Sequence, residues 1–157
     1  MLKRSVAVIL FMTAVLLFGV TDIKTAITNS DLVLVKSMIE GNKDLLESRI
    51  DTYFTPLNYA ALEGKTDIVK YLVDKGADIN TRDREGSIPL QNAAIKGYFE
   101  IVKILVENGS DVNYKDYNDV TPLHFACMSG NLEMIKFLES KGANLKGVNS
   151  NGNTPLH

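Results

Sequence analysis

Apolar residues return at helical spacing several times along this chain. Ile68, Val69, Leu72 and Val73 share one face of a helix, and Ile101, Val102, Leu105 and Val106 share the same face of the next. Ile135, Phe137 and Leu138 mark a third such stretch. Before each lies a shorter segment that opens at a proline (Pro56, Pro89, Pro122) and closes at a glycine (Gly64, Gly97, Gly130). Between the helix pairs run polar, Gly- and Asn-bearing segments such as I-N-T-R-D-R-E-G-S and V-N-Y-K-D-Y-N-D-V, which read as projecting turns. The pattern predicts a series of short-helix, long-helix, turn units.

These units are copies. Pro56, Pro89, Pro122 and Pro155 are the only four prolines, and each lies 33 residues after the last. Laid over one another without a gap, the segments also align Leu57 with Leu90, Leu123 and Leu156, and Ala60 with Ala93 and Ala126. Leu72, Leu105 and Leu138 coincide as well, as do Gly76, Gly109 and Gly142. A fixed period of this length is the mark of a stacked-repeat architecture.

The residues at the unit boundaries have physical roles. Thr55-Pro56 and Thr121-Pro122 place a hydroxyl at the helix entrance and a proline at the first helical position, where its missing N–H costs nothing. Ile88 stands where those threonines are, so the helix at Pro89 is expected to lack a hydroxyl cap and its unit to be weaker by about 1 kcal/mol. Asp67, Glu100 and Glu133 fall in the first turn of the second helices, favourably for the helix dipole. The small pairs Ala60-Ala61, Ala93-Ala94 and Ala126-Cys127 allow helix axes to approach to about 8–10 Å. Neither helix of a unit can bury its apolar face alone, so stability must come from stacking neighbours. Tyr53 and Asp119 occupy positions filled elsewhere by the turn glycines Gly86 and Gly152. Asp tolerates left-handed angles and Tyr does so less well, so the turn from Asp51 to Phe54 is expected to be remodelled.

The segments T-P-L-N-Y-A-A-L-E-G, I-P-L-Q-N-A-A-I-K-G, T-P-L-H-F-A-C-M-S-G and a final T-P-L-H resemble the ankyrin repeat family. The resemblance covers roughly residues 50 to 157, with a weaker copy before it. It implies an all-α solenoid of stacked helix-turn-helix units with projecting hairpin loops, whose usual work is to hold partner proteins. It implies no chemistry. On this reading residues 50–82, 83–115 and 116–148 are full repeats and 149–157 start another. His124 and His157, with Asn58 and Gln91 in their place elsewhere, take the family's role of bracing the turn by hydrogen bonding.

Both ends depart from the repeat. M-L-K-R followed by the apolar run of residues 5–20 fits a secretory signal peptide over residues 1–21, although only Gly19-Val20-Thr21 offers a cleavage site. An uncleaved membrane anchor stays open, with the run short of the roughly 20 residues a bilayer takes. Removing residues 1–21 leaves 15 basic against 19 acidic residues, a net charge of −4. Residues 22–49 read as a degenerate N-terminal capping repeat, in which Val35 and Ile39 match Val69 and Val73 at a spacing of 34. Lys24, Thr28, Ser30, Lys36 and Glu40 supply the polarity that a water-facing end needs. At the other end T-P-L-H stops at His157 just as a helix should begin, so the chain is expected to be a fragment or a truncated frame, with fraying over residues 144–157.

Composition narrows the function. A chain of 157 residues, 45% hydrophobic and 23% charged, is ordinary globular material, and a net charge of −2 with no basic stripe in the repeats argues against nucleic acid as a partner. The single cysteine, Cys127, forms no internal disulfide; with the export signal it fits a periplasmic or similar envelope space, or secretion. Cys127 sits where other repeats have alanine, which is a packing role rather than a nucleophile's. The histidines lie one helix-packing distance apart, too far to share a metal, and no phosphate-cradling loop occurs. No cofactor, metal or catalytic residue is expected, and the chain is expected to be a monomer.

Function must then lie in what differs between copies. By the resemblance, the contact surface comprises the turn tips and the exposed end of the first helix. Here that means Phe54, Leu62 and Glu63 from one unit, and Arg82, Arg84, Glu85, Ser87, Ile95 and Lys96 from the next. Lys115, Tyr117, Asn118, Val120, Met128 and Ser129 complete it. The apolar and aromatic members have the composition of an interaction hot spot. The expected function is an exported, non-catalytic scaffold for protein–protein interaction. The alternative is a membrane-tethered structural or chaperone-like factor of the cell envelope, reaching the membrane only through residues 5–20 if these are uncleaved.

Overall fold

Pro56, Pro89 and Pro122 each take the first position of a helix, and the residue before each is extended, as proline requires. A computed structural model describes residues 22–157, and within them every regular element is helical. The helices come in pairs: α1 (Ile23–Thr28) with α2 (Leu32–Gly41), α3 (Pro56–Leu62) with α4 (Thr66–Asp74), α5 (Pro89–Ile95) with α6 (Phe99–Glu107), and α7 (Pro122–Ser129) with α8 (Leu132–Ser140). A 3-10 turn, Lys43–Leu46, follows α2. The expected leader or anchor, residues 1–21, lies outside the described residues. Among those described, no helix is long and apolar enough to cross a membrane.

The pairs stack in two layers. Helices α1, α3, α5 and α7 pack on one another in sequence to form one layer, and α2, α4, α6 and α8 form the other. Leu57, Leu90 and Leu123 in the first layer and Leu72, Leu105 and Leu138 in the second are fully buried. Ala60, Ala61, Ala93, Ala94 and Ala126 show no more exposure than these leucines, because close approach of the short helices leaves room only for a methyl group there. At one of the turns between paired helices the approach is equally close: the Tyr98 ring of the next unit lies over Gly64 (φ 70°), so near that an added Cβ would stand 2.7 Å from it. The fold is an all-α solenoid of helix-turn-helix units.

Between units the chain makes a hairpin closed by one backbone bond, at Asp83 N to Ser87 O (2.9 Å), Asp116 N to Val120 O (3.2 Å) and Asn149 N to Asn153 O (3.0 Å). Neighbouring tips are joined by single bonds, from Tyr117 N to Glu85 O (3.2 Å) and from Ser150 N to Asn118 O (3.0 Å). Asp119 is left-handed (φ 58°), as a short polar side chain allows, whereas Tyr53 is not. The turn near Tyr53 is rebuilt instead around Asp51, whose carboxylate accepts from the N–H groups of Tyr53 (2.8 Å) and Phe54 (2.9 Å) and from Lys24 Nζ of α1 (2.8 Å). Partial burial pushes this carboxyl's pKa up, but those donors outweigh it and hold it below the usual value.

The capping expectation holds in part: the helix at Pro89 lacks a side-chain cap and Thr55 caps its own, but Thr121 does not. Thr55 Oγ1 accepts from Asn58 N only at 3.4 Å, and the Thr121 hydroxyl pairs with His124 Nδ1 at 2.8 Å instead of capping a backbone N–H. Ile88 therefore gives up little that its counterparts keep. Its own N–H donates to Gln91 Oε1 (3.0 Å), and its side chain is fully buried, which offsets the missing hydroxyl cap. Ile88→Thr, which restores the common residue, is expected to destabilise the chain by about 1–2 kcal/mol through lost apolar burial. A rise in melting temperature would show the opposite.

Candidate partner-binding surface

The bracing residues decide where the hairpins sit. His124 bonds Thr121 through Nδ1 (2.8 Å to the hydroxyl, 3.1 Å to the N–H) and the carbonyl of Asn153, in the following hairpin, through Nε2 (3.0 Å). Gln91, fully buried, repeats this one unit earlier: Oε1 accepts from Ile88 N and Nε2 donates to Val120 O (2.7 Å). Asn58 is one methylene shorter and reaches Thr81 instead, with bonds to its carbonyl (3.1 Å) and hydroxyl (3.0 Å). Three different side chains thus tie the first helix of a unit to the hairpin after it.

Held this way, the hairpins and the first-layer helices enclose a groove of about 700 Å³ that crosses several units. Of the residues expected at a contact surface, Phe54, Leu62, Glu85, Ser87, Ile95, Lys96, Asn118, Val120 and Met128 line it. Met128 and Ile95 are its exposed apolar groups, while Leu62, Phe54 and Val120 are half-buried in its walls. Ser87 is a correction: it is buried, because its N–H is bound by the Asp83 carboxylate and its carbonyl closes the hairpin. It belongs to the floor and offers no exposed contact.

Glu63, Arg82, Arg84, Lys115, Tyr117 and Ser129 lie off the groove lining. Several are exposed yet already engaged. Arg84 lies over the Tyr53 ring and Arg82 over the Tyr114 ring, and Lys115 Nζ bonds Asp119 at 3.0 Å. Tyr117 is 69% exposed, but one side of its ring covers Gly86 of the preceding tip. Its position is set by hairpin stacking.

Residues that the sequence reading left out also line the groove, among them Asp83, Asn92, Asp116 and Phe125. Asn92 and Phe125 occupy one position of the repeat, a single period apart, next to the bracing Gln91 and His124. That position varies between copies, with Tyr59 in the unit before, and variation was the available signal. Chemistry is not in evidence here. Among the described residues no cluster of His, Cys, Asp and Glu could hold a metal ion. Burial, aided by Glu139, pushes the Cys127 thiol up from its ordinary pKa, away from a reactive thiolate.

Comparison with known proteins agrees with this geometry. Residues 23–116 match the family model described as ankyrin repeats in three copies, and residues 105–157 match one described as ankyrin repeats in many copies. The chain belongs to the ankyrin-repeat family. A stretch of 52 residues of this ankyrin chain is 44% identical to alpha-latrocrustotoxin-Lt1a of Latrodectus tredecimguttatus, covering 33% of the chain and 4% of that protein. Alpha-latrotoxin-Lt1a of the same species is 38% identical over 65 residues, 41% of the chain and 4% of the toxin. The serine/threonine-protein kinase VIK of Arabidopsis thaliana is 38% identical over 55 residues, 35% of the chain and 13% of the kinase. The ankyrin chain therefore spans only a small part of the length of each of these relatives. Ankyrin repeats are interaction modules, which supports a protein-binding scaffold.

Proposed function

We propose that this chain is a non-catalytic scaffold that holds a segment of a partner protein in the groove between its hairpins and first-layer helices. The observation that carries the reading is the groove itself. Its exposed apolar groups, Ile95 and Met128, are the equivalent residue of consecutive units, so one bound segment can touch both. Apolar side chains presented at the centre of a polar rim are the usual anchor of such contacts.

Ile95→Asp combined with Met128→Asp should reduce capture of interacting protein from native extract at least about tenfold relative to the unaltered chain. Lys70→Glu, on the exposed side of the second layer, should leave capture unchanged. Both positions of the double variant are exposed, so its stability should stay within about 1 kcal/mol of the parent. Undiminished capture by a folded double variant would remove the groove from the function.

The reading includes export, which rests on the basic tip and apolar run at the N-terminus. The same run supports the membrane-tethered alternative. Mass spectrometry of the native N-terminus separates the two, since an intact Met1 in the membrane fraction favours the tether.

A further inference from the structure

The hairpin residues Asp83 and Asp116 are equivalent in consecutive units, yet their carboxylates are not equally satisfied. In each, Oδ1 accepts two backbone N–H groups of its own turn: Glu85 (3.0 Å) and Ser87 (2.9 Å) for Asp83, and Asn118 (2.8 Å) and Val120 (2.9 Å) for Asp116. Each is only 8% exposed. Asp83 Oδ2 also accepts from Asn92 Nδ2 at 2.9 Å. The residue one period after Asn92 is Phe125, which has no donor to offer, and Asp116 Oδ2 has no hydrogen-bond partner among the described residues.

Two donors of the neighbouring hairpin and helix are committed elsewhere. Lys115 is held by Asp119, and His124 spends both ring nitrogens on Thr121 and Asn153. Although the Asp116 residue is only 8% exposed, its Oδ2 is thus left accessible and without a protein donor on the lining of the groove that also presents Phe125 and Met128. A cationic donor from a partner segment can take the place of solvent at that oxygen. The groove's charges point the same way, with the carboxylates of Asp83, Glu85 and Asp116 against the single ammonium of Lys96.

We propose that the partner segment enters this groove with a lysine whose ammonium donates to Asp116 Oδ2, its stem and an adjacent apolar residue lying on Phe125 and Met128. This rests on the groove being the partner-binding surface. Lysine fits better than arginine because only one oxygen is open. The guanidinium fork gains its advantage from two acceptors, whereas an ammonium acts as a point donor.

The test is selection of a random peptide display library on the immobilised full chain, repeated on Phe125→Asn and Asp116→Asn. The first variant supplies the amide that Asn92 gives Asp83. The second keeps the turn, since Asn149 makes the same bonds to Asn151 N and Asn153 N (both 3.0 Å). Peptides selected on the parent should carry lysine at one fixed position beside apolar residues, and both variants should lose that preference. A selected peptide should bind Asp116→Asn about ten- to a hundredfold more weakly. Apolar motifs without lysine, or lysine retained on either folded variant, overturn the proposal and leave the groove reading standing. No enriched sequence on the parent overturns the groove reading, and the lysine with it.

Discussion

Leu105→Ala is expected to remove about 2–5 kcal/mol of stability, enough to unfold much of the chain near physiological temperature. Leu105 is fully buried on α6, which packs on α5 in its own unit and on both second-layer neighbours, α4 and α8. A void there weakens the internal packing of one unit and its contacts on both sides, and in a stack of units those interface contributions are what couple the whole. Leu138→Ala removes an equally buried side chain from α8, the last helix of the stack. It should cost less, because among the described residues α8 packs mainly on α7 and α6, whereas α6 packs on three helices. Urea unfolding followed by circular dichroism reads both. A loss below about 1 kcal/mol for Leu105→Ala would mean that the units stand independently, contrary to the stacked core described above.

Gln91→Leu should cost about 1–3 kcal/mol, although it removes no apolar contact. The substitution leaves the buried Ile88 N–H without its acceptor, while the Val120 carbonyl loses one donor and keeps the Asp116 N–H (3.2 Å). A buried N–H orphaned in this way costs about 1–3 kcal/mol. Gln91→His should be far milder, because His124 makes the equivalent pair of bonds one unit later. Thermal melts of the two variants separate bonding from side-chain volume. Equal losses would show that shape, and not the paired bonds, is what the position requires.

The junction also shows how the candidate surface could be read from the chain. Ile95, Lys96, Asn118 and Met128 follow from the resemblance, which puts the contact surface at the turn tips and the exposed end of the first helix, and they do line the groove. Ser87 follows from the same rule and is buried, because a place on the turn does not reveal that its backbone is clamped by Asp83. Tyr117 is exposed as expected, but one side of its ring covers Gly86. Asn92 and Phe125 vary between copies, directly after the bracing residues Gln91 and His124, but lie outside the family's turn tips and helix end. Only the coordinates show that Asn92 completes the Asp83 carboxylate and that Phe125 leaves Asp116 incomplete.

The architecture, in contrast, was legible from spacing. A period of 33 in proline, leucine and glycine specifies short local helices, and each such helix must hide its apolar face against a copy of itself, so repetition carries the fold with it. What the spacing could not convey is the set of contacts between residues about one period apart, such as Gln91 with Val120 and Tyr117 with Gly86, and shorter ones such as Asn92 with Asp83 of its own unit. Those depend on side-chain reach to within a single methylene, as Asn58 and Gln91 show by choosing different carbonyls. Local periodicity determines which helices form and how they stack. Which polar atoms are left open to a partner is settled only when neighbouring units are brought together.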